Sequence, residues 1–145
     1  MLKVGYVKLL VTVYIAVMFQ SLIVYRLHFQ HGTIDLALLT VIFFGLFHGI
    51  NSGTISGLFS GLLLDSLSSS YFGMNILLFG FIGAAAGFLS EKINKDSIVF
   101  QFFMITIFAI IVTRSIQTAI FTALFGVAYF FLLRFVTGYA RYYSL

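Results

Sequence analysis

The 145-residue chain contains no cysteine and no proline, and it carries few charges: eight basic residues and four acidic ones. Without cysteine there are no disulfides and no thiolate metal sites. Without proline, no break in a helix can be assigned to a proline kink. The scarcity of charge excludes more. Charged residues make up 8% of the chain and hydrophobic ones 61%, with a mean hydropathy of +1.13. A soluble domain carries about 25% charged and about 45–50% apolar residues, so this composition describes an integral membrane protein. The net charge of +4 is no sign of a nucleic-acid partner, because in a membrane protein lysine and arginine set topology first.

What the chain does have is apolar length. It accommodates about six spans of about 20 residues with almost nothing left over. The expectation is an all-α, polytopic membrane protein: a compact bundle of about six transmembrane helices forming a single domain over residues 1–145. The apolar runs are Val4–Tyr25, Ile34–Ile50, Thr54–Leu67, Met74–Leu89, Ile98–Val112 and Ala119–Val136. The first lacks the short apolar core and cleavage site of a signal peptide and is read as retained. Between the runs lie the polar connection Arg26–Thr33, the turn residues Asn51-Ser52-Gly53, the serine tract Ser68-Ser69-Ser70, the hydrophilic Ser90–Ser97 and the break at Thr113-Arg114-Ser115.

Length and charge both divide the second run from the third. One helix over Ile34–Leu67 would be about 51 Å long, against a hydrocarbon core of about 30 Å. With six spans and the N-terminus inside, Lys3, Lys8, Lys92, Lys95, Arg134 and Arg141 face the cytoplasm, and Arg26 and Arg114 face outward. With five spans the split is three inside to five outside. The positive-inside rule favours six, with both termini cytoplasmic. Tyr6, Tyr25, Tyr71, Tyr139, Tyr142 and Tyr143 stand near span ends, as in an interfacial belt, whereas Tyr14 and Tyr129 stand inside spans.

Small residues are concentrated in the middle. Gly45, Gly49, Gly53, Gly57 and Gly61 recur every four residues, Asp65 takes the next place, and Ser52, Ser56 and Ser60 run beside them. Residues four apart share a helix face, and in membranes small residues let helix backbones approach closely. A break at Asn51-Ser52-Gly53 assigns Gly45 and Gly49 to the second helix and Gly57 and Gly61 to a short third one, packed inside the bundle. The fourth run is rich in small residues too, through Gly80, Gly83 and Gly87. Gly45, Gly49, Gly57, Gly61, Asp65, Gly73, Asn75, Gly80, Gly83 and Gly87 are the candidate helix-packing or partner-docking residues.

Catalytic chemistry has little to work with. Ser60 within Gly57–Gly61 would need His48 as its base and an oxyanion hole, yet the two fall at different depths. His28 and His31 lack a third ligand, and no phosphate-binding glycine loop is present. No metal or cofactor is expected. Asp65 is the one acid placed where it is costly. It is read either as an interfacial carboxylate or as a hydrogen-bonding anchor for the 65–75 turn, with Asn75 and Arg114 on the same side.

The stretch Gly57-Leu58-Phe59-Ser60-Gly61-Leu62-Leu63-Leu64-Asp65, followed after a serine-rich turn by Gly73-Met74-Asn75, resembles the central signature of the MreD family of small membrane proteins of the bacterial rod-shape system. The Gly80–Gly87 helix, the basic loop at Lys92 and Lys95, Ile98–Gln101 and Asp35 fit as well. Where the family often has proline, this chain has Ile34 and Phe72. The resemblance covers about Asp35–Gln101. It implies a non-enzymatic scaffold of the elongation machinery in the cytoplasmic membrane, contacting an MreC-like single-span protein and, indirectly, MreB, RodA and its transpeptidase partner. The alternative is the substrate-binding subunit of an energy-coupling-factor (ECF) vitamin transporter, whose S-component is also a compact six-helix protein. That reading rests on Arg26, His28, His31, Asp65, Asn75 and Arg114 as its polar candidates, and the first span, with only Ala16, lacks the alanine-spaced pair such subunits use for docking.

Overall fold

The computed structural model describes residues 5–26, 35–67, 71–93, 97–113 and 116–137. Among these residues, all regular structure is helical: α1 (Tyr6–Arg26), α2 (Leu36–His48), α3 (Ile50–Leu67), α4 (Met74–Ser90), α5 (Ile98–Thr113) and α6 (Ile116–Thr137). Each apolar run has become a helix, with ends displaced by a few residues. His28, His31, Ser68, Ser69, Ser70 and Arg114 lie outside the described residues, as do Lys3, Lys95 and Arg141.

The bundle is built around α2. This helix is apolar over nearly its whole circumference, and a helix without a polar face must be enclosed. Every residue from Ala37 to His48 is buried. α1, α3, α4, α5 and α6 all pack against it. Antiparallel pairs set the topology: α3 with α4, and α5 with α6, where a Cβ on Gly126 would meet Ile105. The C-terminal ends of α1, α3 and α5 and the N-terminal ends of α2, α4 and α6 therefore gather at one end of the bundle, called here the hairpin end. The α2–α3 junction, the C-terminal end of α4 and the N-terminal end of α5 lie at the opposite, junction end.

The α2–α3 junction is a single residue. Gly49 has φ 88° and ψ −178°, a region open essentially only to glycine. Its N–H bonds the Gly45 carbonyl at 3.2 Å, and its own carbonyl accepts the Gly53 N–H at 3.0 Å. The break expected at Asn51-Ser52-Gly53 is thus corrected to Gly49, and those three residues form the first turn of α3. Their turn-type character was a poor guide, because what reverses the chain is a backbone conformation that needs no polar neighbour. Two further expectations change with it. Gly49 caps α2 and is not part of its helical face. The enclosed helix is α2, whereas α3 is 18 residues long and leaves Leu58, Leu62 and Leu67 exposed.

The outer surface is apolar. α1 exposes Val11, Ile15 and Leu22, α4 exposes Leu77, Phe81 and Phe88, α5 exposes Val99 and Phe103, and α6 exposes Phe121, Phe131 and Phe135. Described charges stand at or near helix ends: Lys8, Arg26, Asp35, Asp65, Glu91, Lys92 and Arg134. Two helices, α1 and α6, are long and apolar enough to cross a membrane, through Tyr6–Ile23 and Ala119–Val136. α2, α4 and α5 contribute shorter apolar helices.

Candidate functional site

The small residues of α2, α3 and α4 meet face to face. At the level of Gly53, three helices touch at once: a Cβ on that residue would run into the Gly83 carbonyl oxygen and would stand 2.7 Å from the Gly45 Cα. A Cβ on Gly45 would in turn stand 2.7 Å from Ala86 Cβ and 2.9 Å from the Gly83 oxygen. Further along α3, Gly57 abuts the Phe79 carbonyl, and Gly61 lies against Asn75 and Ile76, where an added Cβ would stand 2.5 Å from the Asn75 oxygen. Toward the junction end, Gly87 abuts Ile50. The pairing 61 with 75–76, 57 with 79–80, 53 with 83 and 50 with 87 is a regular antiparallel register. Backbone lies on backbone throughout, which is the geometry that lets dispersion and Cα–H···O contacts hold helices together in an apolar medium. The chain's own helices occupy these positions, leaving no room there for a foreign one.

Gly80 differs. Its added Cβ would meet only the flexible end of Leu58, 2.8 Å away at Cδ2. Gly73 has open space around it and is required for its φ of 100° at the N-cap of α4.

Asp65 completes the α3–α4 pair. Gly73 offers no side-chain cap to α4, and the Asp65 carboxylate supplies one from the preceding helix. Its Oδ2 accepts the Gly73 N–H at 2.9 Å and the Ile76 N–H at 3.2 Å, and Oδ1 accepts the Asn75 N–H at 3.3 Å. The first N–H groups of a helix have no partner within it, and a carboxylate there satisfies them and complements the helix dipole.

A similar device, which sequence reasoning missed, seats α2. Asp35 caps α2, accepting the Leu38 N–H at 3.0 Å through Oδ1, and Gln20 on α1 accepts the Ala37 N–H at 2.8 Å through Oε1. A polar residue near the end of an otherwise apolar run is the signal that could have found Gln20. Thus α1 and α3 each lend a side chain to the start of the helix that follows them.

The α5–α6 hairpin attaches to α2 through side chains. Thr40 and Tyr129 share a hydroxyl–hydroxyl bond at 3.0 Å, and Phe130 meets Phe43 edge-on with ring centroids 5.5 Å apart. At the junction end the Arg134 guanidinium lies 4.4 Å from the centre of the Phe47 ring. Tyr129, an exception to the interfacial belt, is accounted for by Thr40.

The Ser60–His48 pairing does not form. His48 ends α2 at the junction end, whereas Ser60 lies ten residues into α3, about 15 Å along its axis. Ser60 is fully buried and its Oγ bonds no described residue. No cluster of three or more His, Cys, Asp or Glu able to hold a metal occurs among the described residues.

An all-helical bundle with an apolar exterior, charges at its helix ends and a glycine-packed interior defines a membrane protein whose assets are shape and surface. The chain belongs to the MreD family: the family model for rod shape-determining protein MreD matches residues 2–140. Its role is accordingly that of a rod shape-determining membrane protein. No curated protein and no solved structure matches the chain.

Proposed function

We propose that this protein is a non-enzymatic scaffold of the bacterial cell-elongation complex, regulating cell shape and lateral wall synthesis. In this reading residues 1–145 form one domain with six helices crossing the cytoplasmic membrane and both termini inside. The hairpin end then faces outward and the junction end faces the cytoplasm. The partner in direct contact is an MreC-like single-span protein, and MreB, RodA and its transpeptidase partner are reached through it.

The observation that carries the proposal is the division of the molecule into a zipped interior and an apolar exterior. Gly45, Gly53, Gly57, Gly61, Gly83 and Gly87 lock α2, α3 and α4 into one unit by backbone contact. Partner contact therefore falls on the outer faces, and the interior keeps those faces in fixed relation. Gly49, Gly73 and Gly80 assist by shaping the junction, the turn and the α3–α4 seam, and Asp65 with Asn75 holds the end of the hairpin.

Depletion in the source bacterium tests the role. Rods should round up, and the wild-type gene should restore them while Gly57→Leu should not. Normal shape with loss of uptake of one vitamin would replace the scaffold with the transporter reading.

A further inference from the structure

The described tip of the α3–α4 hairpin presents two aromatic side chains to its surroundings. The turn is closed by backbone and by Asp65: Met74 N–H bonds the Tyr71 carbonyl at 3.4 Å, and Asp65 holds Gly73, Asn75 and Ile76. Tyr71 and Phe72 nevertheless project outward, 85% and 71% exposed. Exposed aromatic rings leave water only if something apolar meets them.

We propose that this tip is a lipid anchor, with Tyr71 and Phe72 seated in the interfacial layer of the bilayer, which fixes the depth of the hairpin. The inference rests on the membrane-spanning reading given above. Continuity identifies the occupant. Met74, Leu77 and Phe81 form one exposed stripe down α4, spaced three and four residues apart, and the stripe runs into the tip without a charged residue between Tyr71 and Phe81. The surface that meets lipid along α4 therefore extends to Phe72. Tyr71 adds the matching polarity: an apolar ring with a hydroxyl at its end suits the boundary where acyl chains give way to headgroups. Phenylalanine is likewise among the residues that interfacial segments bury just below the headgroups.

The chain has no tryptophan, so one introduced tryptophan reports its own surroundings. Full-length Phe72→Trp and, separately, Phe81→Trp are reconstituted in phosphatidylethanolamine–phosphatidylglycerol vesicles containing lipids brominated either near the glycerol end or near the end of the acyl chains. Far-UV circular dichroism must match wild type, with Tyr71→Trp replacing Phe72→Trp if it does not. The expected result is blue-shifted emission from Phe72→Trp, quenched more by the glycerol-end bromines than by the chain-end bromines and only weakly by aqueous acrylamide. Phe81→Trp should show the opposite preference among the bromines. If Phe81→Trp is not quenched by bromine at either depth, the spanning reading fails. If Phe81→Trp behaves as expected while Phe72→Trp emits and is quenched by acrylamide like free tryptophan, the anchor is overturned and the spans stand. Protection of Phe72→Trp that appears only on co-reconstitution with a single-span partner would likewise overturn it and assign the tip to protein.

Discussion

Gly57 and Gly80 lie on opposite sides of one helix–helix contact, and alanine at the two should have different consequences. A Cβ on Gly57 would stand 2.7 Å from the Phe79 carbonyl carbon and 3.0 Å from the Gly80 Cα, with the Phe79 oxygen closer still. Ordinary contact begins at 3.4 Å, and a backbone carbonyl inside a helix cannot rotate away. α3 and α4 must part by more than half an ångström, and a gap of about 0.5–1 Å forfeits a quarter to a half of each dispersion well it opens. Overpacking costs about 1–3 kcal/mol, and an unyielding backbone places Gly57→Ala at the upper end. Alanine's greater helix preference returns about 1 kcal/mol. The net is a loss of about 2 kcal/mol, roughly a 30-fold change in the unfolding equilibrium. At Gly80 the obstacle is the end of the Leu58 side chain, which can turn aside, so Gly80→Ala should be neutral or slightly stabilising. Unfolding by sodium dodecyl sulfate in mixed micelles, followed by far-UV circular dichroism, measures both. Equal midpoints for the two variants would refute the backbone-contact account of the α3–α4 seam.

Thr40→Val and Tyr129→Phe should each destabilise the attachment of the α5–α6 hairpin, with a coupling of about 0.6 kcal/mol and at most about 1.7 in a double-mutant cycle. Additive effects would mean that their hydroxyls do not bond. Asp65→Asn should insert normally yet increase hydrogen exchange at the Gly73, Asn75 and Ile76 amides and reduce co-purification of the single-span partner, whereas Asp65→Ala should raise exchange further. Wild-type exchange at those amides in Asp65→Ala would show that the carboxylate does not cap α4.

Much of the fold was legible because periodicity and length are properties of composition along the chain. The fourth and fifth helices begin at Met74 and Ile98, where the apolar runs begin. The α2–α3 junction was misplaced because both Gly49 and Gly53 lie near it, and only the backbone shows which one takes a positive φ. The expectation that the third run packs inside the bundle fails for a related reason. A 14-residue polar-interrupted run looked short enough to need shelter, while the unbroken hydrophobicity around α2, including Phe43, Phe44 and Phe47, was the better signal of enclosure. At the candidate site, the spacing of Gly57, Gly61 and Asp65 placed them correctly on one face. It could not show that this face meets Phe79, Gly80 and Ile76, because helix neighbours are tertiary facts. Gln20 escaped notice since its partner, the Ala37 N–H, lies across a connection in another helix.

The enclosure of α2 also bears on how the molecule responds to its surroundings. A 13-residue helix about 20 Å long is too short to match a hydrocarbon layer of about 30 Å, and it never has to. In the membrane-spanning reading proposed above, thickness mismatch acts on the helices that touch lipid, and the longer α1 and α6 can absorb it by tilting, at a fraction of a kcal/mol per ångström. The enclosed α2, buried from Ala37 to His48, is buffered from those adjustments. Cells that remodel their lipids with temperature or growth phase would then change the pose of the lipid-facing helices while the enclosed one keeps its dimensions.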